Sequence, residues 1–309
     1  TAILKSSEDA PETAELFCKI GQKAGLPDGV LNLIHGLGPE AGDLIVKHHD
    51  VDLISFTGSS LTGKIINENC AKTLKKVSLE LGGKNPFIVC DDADIENALS
   101  WCVSSAFSNA GQRCAAASRL LVQENIYDQF IKKLKERMKK LKLGTDSDSF
   151  LGPVMNQKLF DLIIMYVNEA KEKGADVFEA GNNCNDSGYY IKPTLIENLD
   201  LNSYLNDTEF FGPVLIVYKF SNDKNAIEIS NNSNYGLTSC IHTTNIERAI
   251  NFTRKMKFGL CNINSATYGS EPHMPFGGVK HSGNGTREPG TEAIDFYTEL
   301  KMISFTTKG

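Results

Sequence analysis

Residues 51–89 read VDLISFTGSSLTGKIINENCAKTLKKVSLELGGKNPFIV. Residues 51–56 predict a strand that breaks at Thr57-Gly58. Residues 60–74 predict a helix, residues 77–81 a second strand ending on Gly82-Gly83, and residues 85–89 a third. Strands separated by helical connections at this spacing imply parallel pairing and an α/β fold.

The alternation extends outward in both directions. Ala2-Ile3-Leu4 reads as the interior of a strand already under way. Residues 11–24 suit a helix with Pro11 in its first turn and Gly25 as its stop. A strand at 30–34 and a helix at 39–48 follow. Beyond the quoted stretch, helices are expected at 94–108 (capped by Asp91 or Asp92), 126–141, 157–173, 224–231 and 246–256. Strands are expected at 118–123, 190–197, 213–220, 236–242, 259–263 and 303–306. Residues 144–149 and 182–189 read as polar turns. Residues 264–290 are rich in glycine and proline with little periodicity, and long ordered loops of this kind are usually functional.

Bulk properties exclude several classes. The chain has 309 residues, enough for two domains, and a net charge of -6, which offers no basic face to nucleic acid. The basic run at 132–142 carries Leu134, Met138 and Leu141 at helical spacing and reads as the solvated side of a helix. No stretch approaches the roughly 18 apolar residues of a membrane span, and the opening residues carry no secretory pattern. None of the eight cysteines stands in a CxxC pair, so no zinc or other metal site is expected. Their scatter fits a reducing cytosol, and the histidines, His273 included, point to no ligand set.

Five segments have chemical character. FTGSSLTGK (56–64) ends a strand with small residues and opens a helix, an arrangement that lets backbone N–H groups approach a phosphate through Gly58 and Ser59. It misses the P-loop pattern because Ile65 stands where a magnesium-binding Ser or Thr belongs, which argues against an ATPase. LELGGKNP (79–86) puts Glu80 at the carboxyl end of a strand before a Gly-Gly turn, where it could be a base or a surface carboxylate. NAGQRCAAASR (109–119) sets Cys114 among small residues beside Arg113, which favours an accessible, reactive thiol; the other cysteines read as inert. TEFFGPV (208–214) is a carboxylate, Glu209, followed by two aromatics and a turn. PFGGVKHSGNG (275–285) suggests backbone lying close to a ligand or to another domain.

Together these segments resemble the aldehyde dehydrogenase superfamily, from Lys5 to the end of the chain and in the family's order. The resemblance implies NAD(P)-dependent oxidation of an aldehyde to a carboxylic acid through a cysteine thiohemiacetal and thioester. It implies that Cys114 is the nucleophile and Glu80 the general base. It assigns Lys5, Glu8, Gly58, Ser59, Leu81, Gly82, Glu209 and Phe211 to the cofactor, and Asn264 and Phe276 to the substrate tunnel. Glu8 would accept hydrogen bonds from a free ribose 2'-hydroxyl and repel a 2'-phosphate, which favours NAD over NADP. Glu80 favours hydrolysis over acyl transfer to coenzyme A; a CoA-acylating enzyme and an inactive fragment are the alternatives.

The resemblance also implies organisation. The family's chains are longer, and the segment that supplies their oxyanion-hole asparagine would precede residue 1. Residues 1–82 are then expected to be the second half of a Rossmann-like parallel-sheet nucleotide domain. Residues 83–281 would be a complete α/β catalytic domain. Residues 282–309 would be a return segment with an oligomerisation strand, in a homodimer or homotetramer. The isolated chain is expected to expose a sheet edge and apolar surface and to aggregate.

Overall fold

A computed structural model describes residues 1–182 and 187–307. Part of the turn expected at 182–189, with Cys184, lies outside the described residues. The chain divides into two compact units, Thr1–Val77 and Ser78–Gly309.

The first unit alternates strand and helix: β1 (Ala2–Lys5), α1 (Pro11–Lys23), β2 (Leu31–Ile34), α2 (Asp43–Lys47), β3 (Leu53–Thr57) and α3 (Ser60–Ala71). β1 and β2 pair in parallel, with Ala2 opposite Leu31 and Lys5 opposite Ile34, and α1 is their crossover. Pro11 opens α1, where its missing N–H has no partner to lose. No residue of α1 is buried, so Leu16, Phe17 and Ile20 are all more than half exposed. β4 (Lys76–Glu80) carries the chain from the first unit into the second.

The second unit comprises β5 (Asn85–Val89), α4 (Ile95–Phe107), β6 (Ala117–Gln123), α5 (Tyr127–Met138), α6 (Gln157–Glu172), β7 (Asp176–Glu179), β8 (Thr194–Glu197), β9 (Val214–Phe220), α7 (Asp223–Asn231), β10 (Tyr235–Gly236), β11 (Thr238–His242), α8 (Ile246–Lys255), β12 (Leu260–Ile263), β13 (Val279–Lys280) and α9 (Thr291–Tyr297). Seven of these strands form one sheet in the order β12-β11-β5-β6-β9-β8-β7. Every neighbouring pair is parallel except β7 with β8. Every residue of β5 and β11 is buried, as expected for interior strands of a largely parallel sheet. β5, β6 and β9 are adjacent, and LELGGK, GQRC and EFFGP are the segments that lead into their amino ends. The sheet order therefore brings together motifs up to 130 residues apart in sequence.

Several local expectations change. Asp94, not Asp91 or Asp92, caps α4, accepting the Asn97 N–H at 3.1 Å. Asp92 instead accepts the hydroxyls of Thr243 and Thr244, and both Asp91 and Asp92 pair with Arg248. The strand expected from 190 begins only at Thr194, after Pro193, which has no N–H for a ladder. The run 236–242 divides: Tyr235–Gly236 pairs antiparallel with β13, and only Thr238–His242 joins the large sheet. β7 and α9 are additional elements. Asp176–Glu179 alternates too briefly to read as a strand without its partner β8. Residues 303–306 form no strand in the single chain; Leu300, Met302 and Phe305 there are each over 80% exposed.

Candidate active site

A strained turn delivers Cys114. α4 ends at Phe107, and Asn109, Ala110 and Gly111 follow with φ of 56°, 53° and 68°. For alanine the left-handed region costs about 1–2 kcal/mol, so surrounding contacts must impose it. The Gln112 side chain fixes the turn by accepting the Met155 N–H at 2.8 Å and donating to the Pro153 carbonyl. A Cβ on Gly111 would stand 2.2 Å from the Gly212 carbonyl oxygen, so the GQRC and FFGP loops touch backbone to backbone.

The carbonyls around the thiol are all engaged. Asn85 donates to Cys114 O at 2.7 Å and to Ala116 O at 2.8 Å, while its own oxygen accepts the Thr238 N–H. Thr267 donates to Ala115 O at 2.7 Å. Gly83 has room only as glycine, because a Cβ there would lie 2.5 Å from Cys114 O. Cys114 stays half-exposed. Burial raises its pKa, and the carboxylates of Glu209 and Glu80 raise it further, while the backbone N–H groups of Ala115 and Cys114 oppose the shift. The Arg113 guanidinium carbon rests 4.4 Å from the centre of the Tyr268 ring.

Glu80 ends β4, beside an antiparallel bridge to Gly283 and next to the Leu81 N–H, which donates to Ser282 O. Both carboxyl oxygens are buried without a hydrogen-bond partner. Burial pushes its pKa up to about 8, with Arg287 opposing the shift and Glu288 adding to it. Gly277 makes space for it: a Cβ there would lie 2.6 Å from Oε1. The sequence offered a base or a surface carboxylate, and the observed group is a desolvated acid.

Glu209 lies against the Gly-Gly turn. Its Oε1 accepts the Gly83 N–H at 3.1 Å, and a Cβ on Gly82 would meet Oε2 at 2.1 Å. Burial raises its pKa, and that bond and Lys84 hold it down. Of the two aromatics that follow, Phe210 belongs to the core, stacked on Tyr166 at 5.0 Å, whereas Phe211, at φ 50°, stays half-exposed. Leu81 is buried. The site thus joins Glu80, Leu81, Gly82, Cys114, Glu209 and Phe211 within one unit.

Other expected residues lie elsewhere or are otherwise engaged. In the first unit Lys5 pairs with Glu8 at 3.3 Å. Ser59 caps α3 by accepting the Thr62 N–H at 3.2 Å, and a Cβ on Gly58 would strike the Phe56 ring at 2.4 Å. The Asn264 side chain exchanges both its hydrogen bonds with the Thr243 backbone at 2.9 Å. Phe276 is half-exposed, and its carbonyl accepts from Glu288.

Three residues that sequence reasoning passed over support the site. Asn85 is the clamp described above. Lys84, fully buried, donates to Thr208 O at 2.6 Å with its ammonium 4.1 Å from the Phe210 ring centre, so it grips both residues flanking Glu209. Arg119, 2% exposed, donates to the carbonyls of Lys84, Ile229 and Ser230. Burial lowers the Lys84 pKa to about 7, with Arg119 adding to the fall and the carboxylates of Glu209 and Asp207 opposing it. The only sequence signal was a charge inside an otherwise apolar strand context.

Comparison with known proteins agrees with this geometry. The sequence profile of the aldehyde dehydrogenase family matches residues 1–303. An aldehyde dehydrogenase of Emericella nidulans is 44% identical over 308 residues, 99% of this chain and 62% of that protein. A mitochondrial aldehyde dehydrogenase of Leishmania tarentolae is 38% identical over 311 residues, 100% of this chain and 62% of its own. The solved betaine aldehyde dehydrogenase of Staphylococcus aureus in complex with NAD+ superposes with a TM-score of 0.91 at 36% identity, covering 99% of this chain and 63% of that one. An NAD-dependent aldehyde dehydrogenase from Sinorhizobium meliloti gives 0.94 at 34% identity, covering 97% and 60%. The chain thus spans about 62% of the length of the relatives it matches. With an almost full-length family match and these motifs at one sheet end, the chain belongs to the aldehyde dehydrogenase family.

Proposed function

We propose that this chain carries the thiol chemistry of an enzyme that oxidises an aldehyde to a carboxylic acid with NAD. The observation that carries the reading is the meeting of Cys114 with Glu80, whose carboxyl is desolvated and unpartnered. The Cys114 thiolate adds to the carbonyl carbon, forming a C–S bond and an oxyanion. The N–H groups of Cys114 and Ala115, which already favour negative charge at the sulfur, are the donors available to that charge within this chain. NAD, when bound, accepts the hydride that leaves the carbonyl carbon. Glu80 then takes a proton from the water that cleaves the thioester, releasing the acid and the thiol. An unpartnered carboxylate can accept that proton without first breaking a hydrogen bond.

The donor set fits the cofactor. Glu209, fixed against Gly82 and Gly83, would accept hydrogen bonds from ribose hydroxyls, and the half-exposed Phe211 offers a face for a flat ring. In the first unit Lys5, Glu8, Gly58 and Ser59 are assigned to the adenosine and pyrophosphate. The NAD in the S. aureus structure supports this cofactor, with NADP a weaker candidate because Glu8 would repel its 2'-phosphate. Asn264 and Phe276 remain assigned to the loop facing the aldehyde.

Residues 1–82, 83–281 and 282–309 are the corresponding functional segments, with the exposed 300–305 stretch pairing in a homodimer or homotetramer. Among the described residues no helix is long and apolar enough to cross a membrane. Seven free cysteines there support a reducing compartment such as the cytoplasm.

The test is NADH formation by the purified protein with a simple aldehyde, with and without coenzyme A. Cys114→Ala is expected to abolish it. Product that forms only with coenzyme A would overturn the hydrolytic reading, and turnover that survives Cys114→Ala would overturn the nucleophile.

A further inference from the structure

We infer that Lys84 is a positioning residue for the cofactor, whose buried charge keeps Glu209 ionised and in place, so that affinity for the nicotinamide ribose follows the charge on Lys84; this rests on Glu209 taking that ribose.

Two contacts tie the turn before β5 to the loop before β9. The Gly83 N–H donates to Glu209 Oε1 at 3.1 Å, and the Lys84 ammonium donates to Thr208 O at 2.6 Å. The same ammonium lies 4.1 Å from the Phe210 ring centre, so it holds the residue on either side of Glu209. Neither end of this grip is loose. Arg119 donates to Lys84 O at 2.9 Å, and Phe210 is stacked on Tyr166.

The charge matters apart from the shape. A fully buried ammonium costs free energy that a methionine of similar size would not. What the charge supplies is attraction for a carboxylate in a buried setting: burial raises the Glu209 pKa, and Lys84 opposes the rise. An ionised carboxyl offers both oxygens as acceptors to ribose hydroxyls, whereas a protonated one gives up part of that capacity. The charged groups facing the ammonium are Arg119 of β6 and Asp207 and Glu209 of the loop before β9. Arg119 is committed to three carbonyls, and Asp207 to the Ser233 hydroxyl at 2.6 Å and the Asn234 N–H at 2.8 Å. Glu209 is therefore the carboxylate left to respond to a change at Lys84. Burial, with Arg119, sets that change near pH 7. Below it the ammonium favours the carboxylate; above it the neutral amine still donates to Thr208 O but no longer holds Glu209 ionised.

The test needs no turnover. Nicotinamide riboside, the ribose half of the cofactor without phosphate, is titrated into the chain at pH 6 and pH 8.5 and followed by saturation-transfer NMR. Glu80 changes charge over the same range, so each native affinity is divided by that of a variant at the same pH. The native affinity is expected to exceed that of Lys84→Met about fivefold at pH 6 and to match it at pH 8.5. Lys84→Arg carries a charge that does not titrate, so its advantage over Lys84→Met should persist at both pH values, and either variant alone decides the matter. A native-to-variant quotient that is the same at both pH values makes Lys84 a packing residue only and overturns the proposal, with Glu209 still on the ribose. A native chain that takes up no riboside at either pH overturns the Glu209 assignment and the proposal together.

Discussion

Glu80 shows how one residue's environment sets its chemistry. Its ordinary pKa is near 4.5, and burial raises it to about 8. Hydrolysis of the thioester needs the carboxylate, so the rate of that step should rise with pH through about 8 and level off above. Glu80→Gln should flatten the profile and lower the rate by about 10²-fold, read from acyl-enzyme decay in stopped flow. The same shift has a stability consequence. The folded state holds the proton to higher pH than the unfolded chain, so the resulting stabilisation is complete below 4.5 and is lost as pH rises through about 8. Thermal melts of Glu80→Gln should therefore gain on the native protein between pH 5 and pH 9; parallel melting curves at the two pH values would refute the buried, partnerless carboxyl. Glu80, Cys114 and Glu209 were legible in the sequence because each stands in a short motif of small residues. Asn85, Lys84 and Arg119 were not, because their partners are backbone groups up to 153 positions away, and nothing local marks a backbone group that will need a partner.

At the level of elements, the site is built where three loops enter adjacent parallel strands. Asn85, at the start of β5, ties the loop before β6 to β11 through three hydrogen bonds. Asn85→Ala leaves two buried acceptors and one buried N–H unpaired. A loss of about 2–4 kcal/mol in urea unfolding is expected, together with faster hydrogen exchange at residues 114–116. A loss under about 0.5 kcal/mol, the range of ordinary surface substitutions, would mean that the loop holds itself. Periodicity located most helices and strands to within a few residues, since amphipathic spacing survives in each. It failed where pairing alone makes the element, at β7 and at the split of β10 from β11. It also placed a strand at 303–306, where apolar residues alternate but pair with no strand among the described residues. The sequence reading put the site beyond the carboxyl end of β4; with respect to the seven-stranded sheet it lies at amino ends, an order that only the topology reveals.

For the molecule as a whole, exposed apolar surface is the dominant liability. In the first unit Leu16, Phe17 and Ile20 crowd one solvent-exposed helix, and Leu300, Met302 and Phe305 lie bare near the other end. Concentration-dependent association of the purified chain is expected in light scattering. Replacing Phe17 and Ile20 by lysine should reduce it several-fold without altering Cys114 alkylation, because α1 buries nothing. Unchanged scattering in that variant, with monodisperse native chain, would remove α1 as the cause. Composition alone gave no hint of this surface, because an average hydrophobic content says nothing about which residues find partners.

The close approaches at Gly83, Gly111 and Gly212 bear on how this protein could be changed. A methyl group at 83 would collide with the Cys114 carbonyl, at 111 with the Gly212 carbonyl, and at 212 with Ile163. Gly83 and Gly111 are each blocked by backbone, which no side-chain substitution can clear, whereas at 212 a shorter residue in place of Ile163 on α6 would make room. Adaptive variation is therefore channelled away from the two backbone-blocked glycines and toward half-exposed side chains of the candidate site, Phe211 and Phe276 among them. A selection for new aldehydes, started from a library randomised over positions 83, 111, 211 and 276, should return winners at 211 and 276 and unaltered glycines at 83 and 111.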